Sequence, residues 1–451
     1  MSSNGYDVAV IGSGPGGFTC AVRAAQLGAK VVLIEKTFIG GTCLNCGCIP
    51  TKFLWQTLKI KQEIQKSNTY GLKANLEPVV FSDIVEKKNK NILNLRKGVE
   101  SILCSYNVDI VKGEALFKDT NTLAVSSEDK IIEIFASKIV IATGTKPKEI
   151  KDFKFDGNKI ISSTDILNLR TIPESMLIVG GGAIGIEMAT IFAGFGSQVS
   201  LAECQTCLLE KEDTEVSMEV QKNLSRQGLE VMTGCTTALN DINKYEKVLI
   251  VTGRTPNSKL GLEILKVEID KDGFIKTDNF CKTNVDNIYA VGDINGKNLL
   301  AYTAQNEGKV VAENIVSGNF KIVENDIIPQ VVFSMPQTAW VKVKNLSSYK
   351  DLSFGKFLFT ANSRAFIENK RTGFVKCAVD ILTKRPLAFW VVGACSDELI
   401  HTACQILKNG GIDIKREMFF HPSLSEGLLN AYEDALGACT ETVKKFKKDI
   451  L

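Results

Sequence analysis

Three thiols fall close together in Gly40-Gly41-Thr42-Cys43-Leu44-Asn45-Cys46-Gly47-Cys48-Ile49-Pro50-Thr51-Lys52. Two readings are open for such a run. Free cysteine packs as a small hydrophobe, so buried thiols are one reading. The other is a pair, Cys43 and Cys48, that cycles between dithiol and disulfide. On an ideal helix the steps between them rise about 7.5 Å, beyond the Cα separation of about 4.4–6.8 Å that a disulfide spans. A bridge therefore needs a broken helix, and Gly47 is the residue that tolerates one. A strained, partly exposed bridge is the kind that exchanges.

Exchange also needs a group that takes a proton from an incoming thiol, because the thiolate is the nucleophile. Imidazole titrates in the right range, and the chain has two histidines. His401, in Glu398-Leu399-Ile400-His401-Thr402-Ala403, is expected as a packed, hydrogen-bonded helix residue. His421 stands in His421-Pro422-Ser423-Leu424-Ser425-Glu426, just ahead of a helix. Glu426 could hold one ring nitrogen and stabilise the imidazolium. Taken alone, this is equally a loop histidine.

Two similar units could position such groups. Tyr6 to Ile11 reads as a buried parallel strand, followed by Gly12-Ser13-Gly14-Pro15-Gly16-Gly17, a helix from Phe18 to Leu27, and a strand ending in Glu35. Gly12 makes the tight turn, Gly14 lets backbone approach a pyrophosphate, and Gly17 lets helix pack on strand. The helix N-terminus offers N–H donors to the phosphates, and Glu35 can accept from ribose hydroxyls. Met176 to Val179 leads into Gly180-Gly181-Gly182-Ala183-Ile184-Gly185, a helix through Phe195, and a strand ending in Glu203. The same spacing separates Gly12 from Glu35 and Gly180 from Glu203. Two copies imply two dinucleotide sites. Cys204, Gln205 and Thr206 follow Glu203, with no arginine to receive a 2′-phosphate, so the second site is expected to take NAD rather than NADP.

The thiol stretch, G-G-T-C-L-N-x-G-C-I-P-T-K, closely resembles the redox-disulfide stretch of the flavin disulfide reductases, and its Leu-Asn and Ile-Pro-Thr-Lys choices look most like their dihydrolipoamide dehydrogenase branch. The Ala142-Thr143-Gly144 turn, Gly253-Arg254-Thr255-Pro256-Asn257, Gly292-Asp293 and His421-Pro422-Ser423 with Glu426 are similar to that family's motifs, and the likeness runs from Tyr6 to Leu436. The resemblance implies an α/β fold with two Rossmann-like dinucleotide-binding domains and a C-terminal α+β dimerisation domain. The implied boundaries are 1–148 and 271–326 for a discontinuous FAD-binding domain, 149–270 for an inserted NAD-binding domain, and 327–451 for the interface domain.

The resemblance also implies roles. Cys43 and Cys48 would be the redox pair and His421 with Glu426 the acid–base dyad, reaching the disulfide of the other subunit of a homodimer. Lys52 and Glu187, each alone a solvated charge, would meet near the flavin. FAD would be held by Gly12, Gly14, Gly17, Glu35, Lys52, Ala115, Thr143, Gly144, Asp293, Leu300 and Ala301. NAD would be held by Gly180, Gly182, Gly185, Glu187, Glu203, Gly253 and Arg254. The implied activity is oxidation of dihydrolipoamide, carried on lipoyl domains of 2-oxo acid dehydrogenase or glycine cleavage complexes, with electrons passing through the disulfide and FAD to NAD. Glutathione- and mercuric-reductase-like enzymes are the near alternatives, and a flavoprotein retained only as a binding subunit is the distant one. Three departures stand out: Cys46 in place of the usual Val, Tyr302 in place of the usual His, and a short stretch, Thr236 to Lys247, where relatives insert a β-hairpin region.

The totals exclude other classes. A chain of 451 residues is too long for one core. A net charge of +3 suggests neither nucleic acid nor a membrane surface as partner, and no apolar run is long enough to span a bilayer. Lys444, Lys445, Lys447 and Lys448 read as a solvated helix end. The first strand begins by Tyr6, leaving no room for a leader. Thirteen cysteines without a small disulfide framework suggest a reducing compartment, the cytoplasm, with only Cys43 and Cys48 in redox use. No metal site is expected.

Overall fold

The computed structural model describes residues 5–127, 130–318, 320–411 and 414–442, so the lysines at 444–448 lie outside the described residues. The chain forms two compact units, Met1–Ile172 with Leu249–Glu324, and Pro173–Val248 with Asn325–Leu451. Residues 149–172 and 249–270 thus fall in the first unit, and the stretches 173–248 and 325–451 in the second.

In chain order the first stretch contains β1 (Tyr6–Ile11), α1 (Pro15–Gln26), β2 (Val31–Glu35), α2 (Gly41–Cys46), α3 (Cys48–Gln65), α4 (Phe81–Ser105), β3 (Asp109–Lys112), β4 (Glu114–Phe117), β5 (Thr122–Ser127), β6 (Lys130–Ile141), β7 (Thr145–Pro147) and β8 (Ile160–Ile161). Next come β9 (Ser175–Val179), α5 (Ala183–Phe195), β10 (Gln198–Ala202), α6 (Thr214–Arg226), β11 (Glu230–Met232) and β12 (Lys247–Ile250). The return stretch has β13 (Arg254–Pro256), β14 (Ile288–Ala290) and α7 (Ala301–Ser317). The chain ends with β15 (Gln330–Val332), β16 (Thr338–Lys342), β17 (Leu352–Leu358), α8 (Ser363–Ile367), β18 (Phe374–Asp380), β19 (Pro386–Val392), α9 (Ser396–Lys408) and α10 (Glu426–Ala435).

In the first unit, β3, β2, β1, β6 and β14 lie side by side and parallel, while β4, β5 and the start of β6 are antiparallel. Val8, Ala9 and Val10 are all buried, as a parallel strand covered on both faces requires. Residues 130–141 form one long strand, β6, because no turn residue interrupts Phe135-Ala136-Ser137-Lys138. Its first half pairs with β5 and its second half with β1.

The return stretch stays with the first unit for local reasons. β13 pairs antiparallel with β7, and Leu260, Leu262 and Val267 pack into the same core as β1, β2 and β6. Residues 149–172 hold on through Lys88 of α4, a buried lysine that donates to the Leu167 carbonyl, and through the Arg170–Glu86 ion pair.

In the second unit, β9, β10 and β11 are parallel. Between β11 and β12 the chain makes 3-10 turns over Ala238–Lys244. The C-terminal sheet runs β15-β16-β19-β18-β17 and is antiparallel. Its strand β17 was not legible beforehand. Gly355 sits inside it, where an added Cβ would lie 2.1 Å from the Ala431 carbonyl oxygen. The glycine lowers strand propensity but lets α10 close onto the sheet.

Candidate active site

The thiol stretch begins where Gly40, at φ 95°, turns the chain into α2. That helix breaks at Gly47 (φ −144°, ψ −112°), and α3 starts at Cys48. The Thr51 hydroxyl donates to the Gly47 carbonyl at 2.7 Å and holds the break. A side chain at 47 would sit 2.9 Å from the Thr42 carbonyl oxygen, so glycine is required there. The break brings the Cys43 and Cys48 side chains into hydrogen-bond contact, and both are carried as thiols, without a disulfide. That contact, followed by burial, pushes the Cys43 thiol well above the usual range, while Lys52 and the Cys48 backbone N–H pull the other way. Cys43 thus holds its proton more firmly than a free thiol does. Cys46 ends α2, half-buried.

The redox turn is fixed from two sides. Asn45 donates to the carbonyls of Ile39 and Gly41 at 3.0 and 2.8 Å. Its own oxygen accepts from Arg96 of α4, whose guanidinium stacks 4.0 Å from the Phe38 ring centroid. On the other side, Gly41 packs on the first glycine turn, where an added Cβ would lie 2.7 Å from the Gly14 Cα. The Gly40 N–H donates to the Ser13 hydroxyl at 3.1 Å, and that hydroxyl donates to Glu35 at 2.6 Å.

The first glycine turn fits a dinucleotide pyrophosphate. Gly12 (φ 99°) makes the turn, and an added Cβ at Gly17 would strike the Gly12 carbonyl oxygen at 1.9 Å. At Gly14 an added Cβ would meet nothing within 4 Å, and α1 starts there with no side-chain cap. Open space thus faces the uncapped amides of a helix start, the arrangement that binds phosphate. Glu35, expected to accept from ribose hydroxyls, takes Ser13 N–H and Oγ on one oxygen and Thr37 N–H and Oγ1 on the other. The side chain of Ala115 is buried in the core, which leaves only its backbone to meet a cofactor.

Thr143 and Gly144 are locked to Asn257. The Thr143 hydroxyl donates to the Asn257 carbonyl, the Asn257 amide donates to the Thr143 carbonyl, and the Asn257 N–H donates to that of Gly144. Arg254, expected at NAD, belongs to this first unit. Its Nε donates to Thr145 Oγ1 at 2.6 Å, and that hydroxyl donates to Asp293 at 2.8 Å. The antiparallel pairing of β13 with β7 puts Arg254 there. Burial pushes the Asp293 carboxyl up, with Thr145 and Arg254 opposing. Glu307 of α7, buried, accepts from the Gly292 N–H and from Asn295 and holds the Gly292–Asp293 turn. Leu300 caps α7 and Ala301 starts it, with no side-chain cap on its amides. Tyr302 is partly exposed in the first turn of that helix.

The second glycine turn is built alike. Gly180 takes φ 120°, and Gly182 precedes α5 with no side-chain cap and open space at its Cβ position. Gly185 is buried inside α5. Glu203 accepts from the Gly181 N–H at 2.6 Å and the Gln205 N–H at 2.8 Å. Burial works against its charge, yet these amides outweigh it and hold the carboxyl below its ordinary range. Glu187 is buried on α5 and accepts from the Phe333 N–H at 3.1 Å. Gly253 (φ 146°) lies in the first unit.

His421 and Glu426, expected as an acid–base dyad, meet within the second unit. His421 Nδ1 lies 2.9 Å from Glu426 Oε1, while the other carboxylate oxygen accepts from the Ser423 N–H at 2.7 Å. The His421 side chain is 67% exposed, so its other nitrogen can be reached from outside. Three contacts place this loop: Asn362 donates to the Ser423 carbonyl, Leu424 is buried, and α10 closes onto Gly355. His401 was expected packed; it is exposed on α9.

Sequence reasoning missed Ser13, Thr37, Asn45, Arg96, Thr145, Asn257 and Glu307 as positioning groups. Asn45 and Asn257 stand inside motifs already singled out, which was a usable signal. Arg96 and Glu307 carry none, since each acts across a fold contact.

Residues 6–308 match the family described as pyridine nucleotide-disulphide oxidoreductase, and residues 328–432 match that family's dimerisation domain. A dihydrolipoyl dehydrogenase of Geobacillus stearothermophilus is 36% identical, over 97% of this chain and 97% of the relative. That of Bacillus subtilis is 35% identical, over 97% and 98%. The HOCl-induced flavoprotein disulfide reductase RclA of Escherichia coli, solved as a Cu(II) complex, is similar with a TM-score of 0.85 at 27% identity, over 95% of this chain and 99% of RclA. Among the described residues, no helix is long and apolar enough to cross a membrane, and no group of three or more His, Cys, Asp or Glu is placed to hold a metal.

Proposed function

Because this chain belongs to the pyridine nucleotide-disulphide oxidoreductases, we propose that it oxidises dihydrolipoamide to lipoamide and passes the electrons to NAD. The observation that carries the reading is the Cys43–Cys48 pair, hydrogen-bonded across the Gly47 break beside Lys52 and packed against a phosphate-binding turn.

In the oxidised enzyme Cys43 and Cys48 form a disulfide. His421 removes a proton from one substrate thiol, and Glu426 stabilises the imidazolium. The thiolate attacks Cys43 Sγ. An S–S bond to substrate forms, and Cys48 leaves as a thiolate with Lys52 as its nearby cation. The second substrate thiol attacks the mixed disulfide and closes the lipoyl ring; the departing Cys43 sulfur takes the proton from His421, and the imidazole receives the proton that the second thiol gives up. The substrate loses two electrons and the protein disulfide gains them. FAD, held at the Gly12–Gly17 turn, Thr143, Gly144, Asp293 and the start of α7, supplies a two-electron acceptor when bound; NAD, held at Gly180, Gly182, Gly185 and Glu203, supplies a hydride acceptor. Lys52 would offset the negative charge of the reduced flavin and of the Cys48 thiolate. A carboxylate at Glu203 accepts from a free 2′-hydroxyl and repels a 2′-phosphate, which favours NAD.

The dimerisation domain supports a homodimer, with the dyad of one subunit serving the disulfide of its partner. Lipoyl domains of 2-oxo acid dehydrogenase or glycine cleavage complexes are the proposed substrate carriers. Thirteen cysteines without a small-domain disulfide framework fit a cytoplasmic setting. The short turn at Ala238–Lys244 favours one rival, a flavoprotein retained for binding alone.

One assay tests the reading. The purified protein is mixed with dihydrolipoamide and NAD, or with glutathione disulfide and NADPH, and nicotinamide absorbance is followed. Reduction of NAD by dihydrolipoamide alone is expected. Turnover with glutathione disulfide would select a glutathione-reductase-like enzyme, and silence in both would select the binding subunit.

A further inference from the structure

Cys204 and Cys207 stand at C-x-x-C spacing directly after Glu203. Unlike the buried cysteines of the strands and helices, Cys204 is exposed and Cys207 half-buried. The spacing is that of reversible dithiol pairs near βαβ units. In this chain the pair is wired into the nucleotide cradle. Cys204 Sγ donates to Glu203 Oε1 at 3.2 Å, the oxygen that also receives the Gln205 N–H at 2.8 Å. The loop then returns to the glycine turn, where the Leu209 N–H donates to the Gly181 carbonyl at 3.2 Å. The Gly181 N–H in turn donates to Glu203 Oε2 at 2.6 Å. Leu208 is buried, and its carbonyl accepts from the Ser217 hydroxyl, anchoring the far end of the loop. Cys235 flanks the same segment, its N–H bonded to the Glu203 carbonyl at 2.9 Å, while the Gly234 N–H reaches that of Gln205 at 2.6 Å.

We infer that Cys204 and Cys207 form a second redox pair, whose oxidation by small-molecule disulfides weakens nucleotide binding at Glu203. This widens the expectation that only Cys43 and Cys48 are in redox use, and it rests on the NAD reading of the Glu203 site. The Cys207 thiolate attacks a disulfide RSSR, forming Cys207–S–S–R and releasing one RSH. Cys204 then loses its proton to solvent and attacks the Cys207 sulfur, closing the protein disulfide and releasing a second RSH. Two protein thiols are oxidised and one RSSR is reduced to two RSH. Cys204 is the slower partner, since the hydrogen bond to Glu203 raises its thiol. Ring closure removes the S–H donor from Glu203 Oε1 and encloses Gln205, whose N–H is the other donor there. The carboxylate keeps the Gly181 N–H on Oε2 but loses its hold on Oε1, and the ribose loses a fully fixed acceptor.

The test uses full-length, FAD-loaded protein carrying Cys43→Ser and Cys48→Ser, so the catalytic pair cannot respond. NAD affinity is measured by calorimetry before and after incubation with glutathione disulfide. Tight binding before treatment and an increase in Kd of about tenfold after it are expected, reversed by dithiothreitol. Peptide mapping should find Cys204 joined to Cys207. Adding Cys207→Ser should leave the initial affinity within about twofold and abolish the response; adding Cys204→Ser should abolish the response as well. An unchanged Kd in oxidised protein, or a bridge from Cys207 to Cys235 instead, overturns the inference. Failure of the untreated protein to bind NAD at all would overturn the NAD reading with it, and is recognisable because it precedes any oxidation.

Discussion

Asn45 Oδ1 lies 2.7 Å from Arg96 Nη2 and 3.1 Å from Arg96 Nε, so one oxygen of the redox turn is held by both arms of a guanidinium from α4. A hydrogen bond to a charged group contributes about 1.5–3 kcal/mol, and here it orients the amide that ties Ile39 and Gly41 together. Arg96→Met should slow dithiol-driven flavin reduction several-fold in stopped flow while FAD content holds. Asn45→Asp keeps the Arg96 pairing but loses both donors to backbone, and should slow it too. Full speed in Asn45→Asp would show that the Ile39 and Gly41 contacts are dispensable.

His421→Gln should cut turnover by about 10²–10⁴-fold, the range for loss of a general base, with flavin content unchanged. Glu426→Gln should cost less, since Nδ1 keeps an acceptor. Turnover in Glu426→Gln equal to the parent protein would leave Glu426 a loop brace only, through its bond to the Ser423 N–H.

Arg254, Thr145 and Asp293 form a chain of donors, ending on a carboxyl that burial raises. Thr145→Val breaks the chain at its middle. It should raise that carboxyl further and loosen the Gly292–Asp293 turn, so flavin is lost faster on dialysis. Retention equal to the parent protein would assign the chain to folding alone.

Lys376 meets Asp213 at 2.9 Å and Glu215 at 3.1 Å, and Lys356 also pairs with Glu215, joining the start of α6 to the C-terminal sheet. Burial opposes the charge on Glu215, but the bonds to Lys356 and Lys376 prevail and hold its carboxyl below the model-compound value of 4.5. Its contribution is therefore present above pH 4.5 and is lost as pH falls through the lowered folded value. Burial likewise opposes Lys376, whose acidic partners raise it above 10.5, so its share is present below pH 10.5 and is lost as pH rises further. Lys376→Met should lower the urea midpoint by a constant amount near neutral pH, with the gap closing in acid. The partly exposed setting keeps the effect small. A gap that stays open below pH 3 would mean lost packing against Phe354 and Trp390 rather than lost charge.

Much of the site could be read from short spacings. The Gly12 and Gly180 turns, the Gly47 break and the His421–Glu426 step are each closed by a few residues, where backbone geometry leaves few options. Glycine, proline and a capping acid state that geometry locally, so the residue types suffice. Arg254 shows the limit. Its motif was visible, but its partners were not, because β13 had to be paired with β7 before Thr145 and Asp293 came within reach. Strand β17 was hidden for a similar reason: the glycine that lowers its propensity is justified only by α10, which lies far along the chain. The amino-acid order thus determined the reacting groups, their local turns and the two nucleotide cradles. The tertiary structure decided which distant side chains hold them in place, because a contact between remote segments depends on topology and packing, which local spacing does not encode.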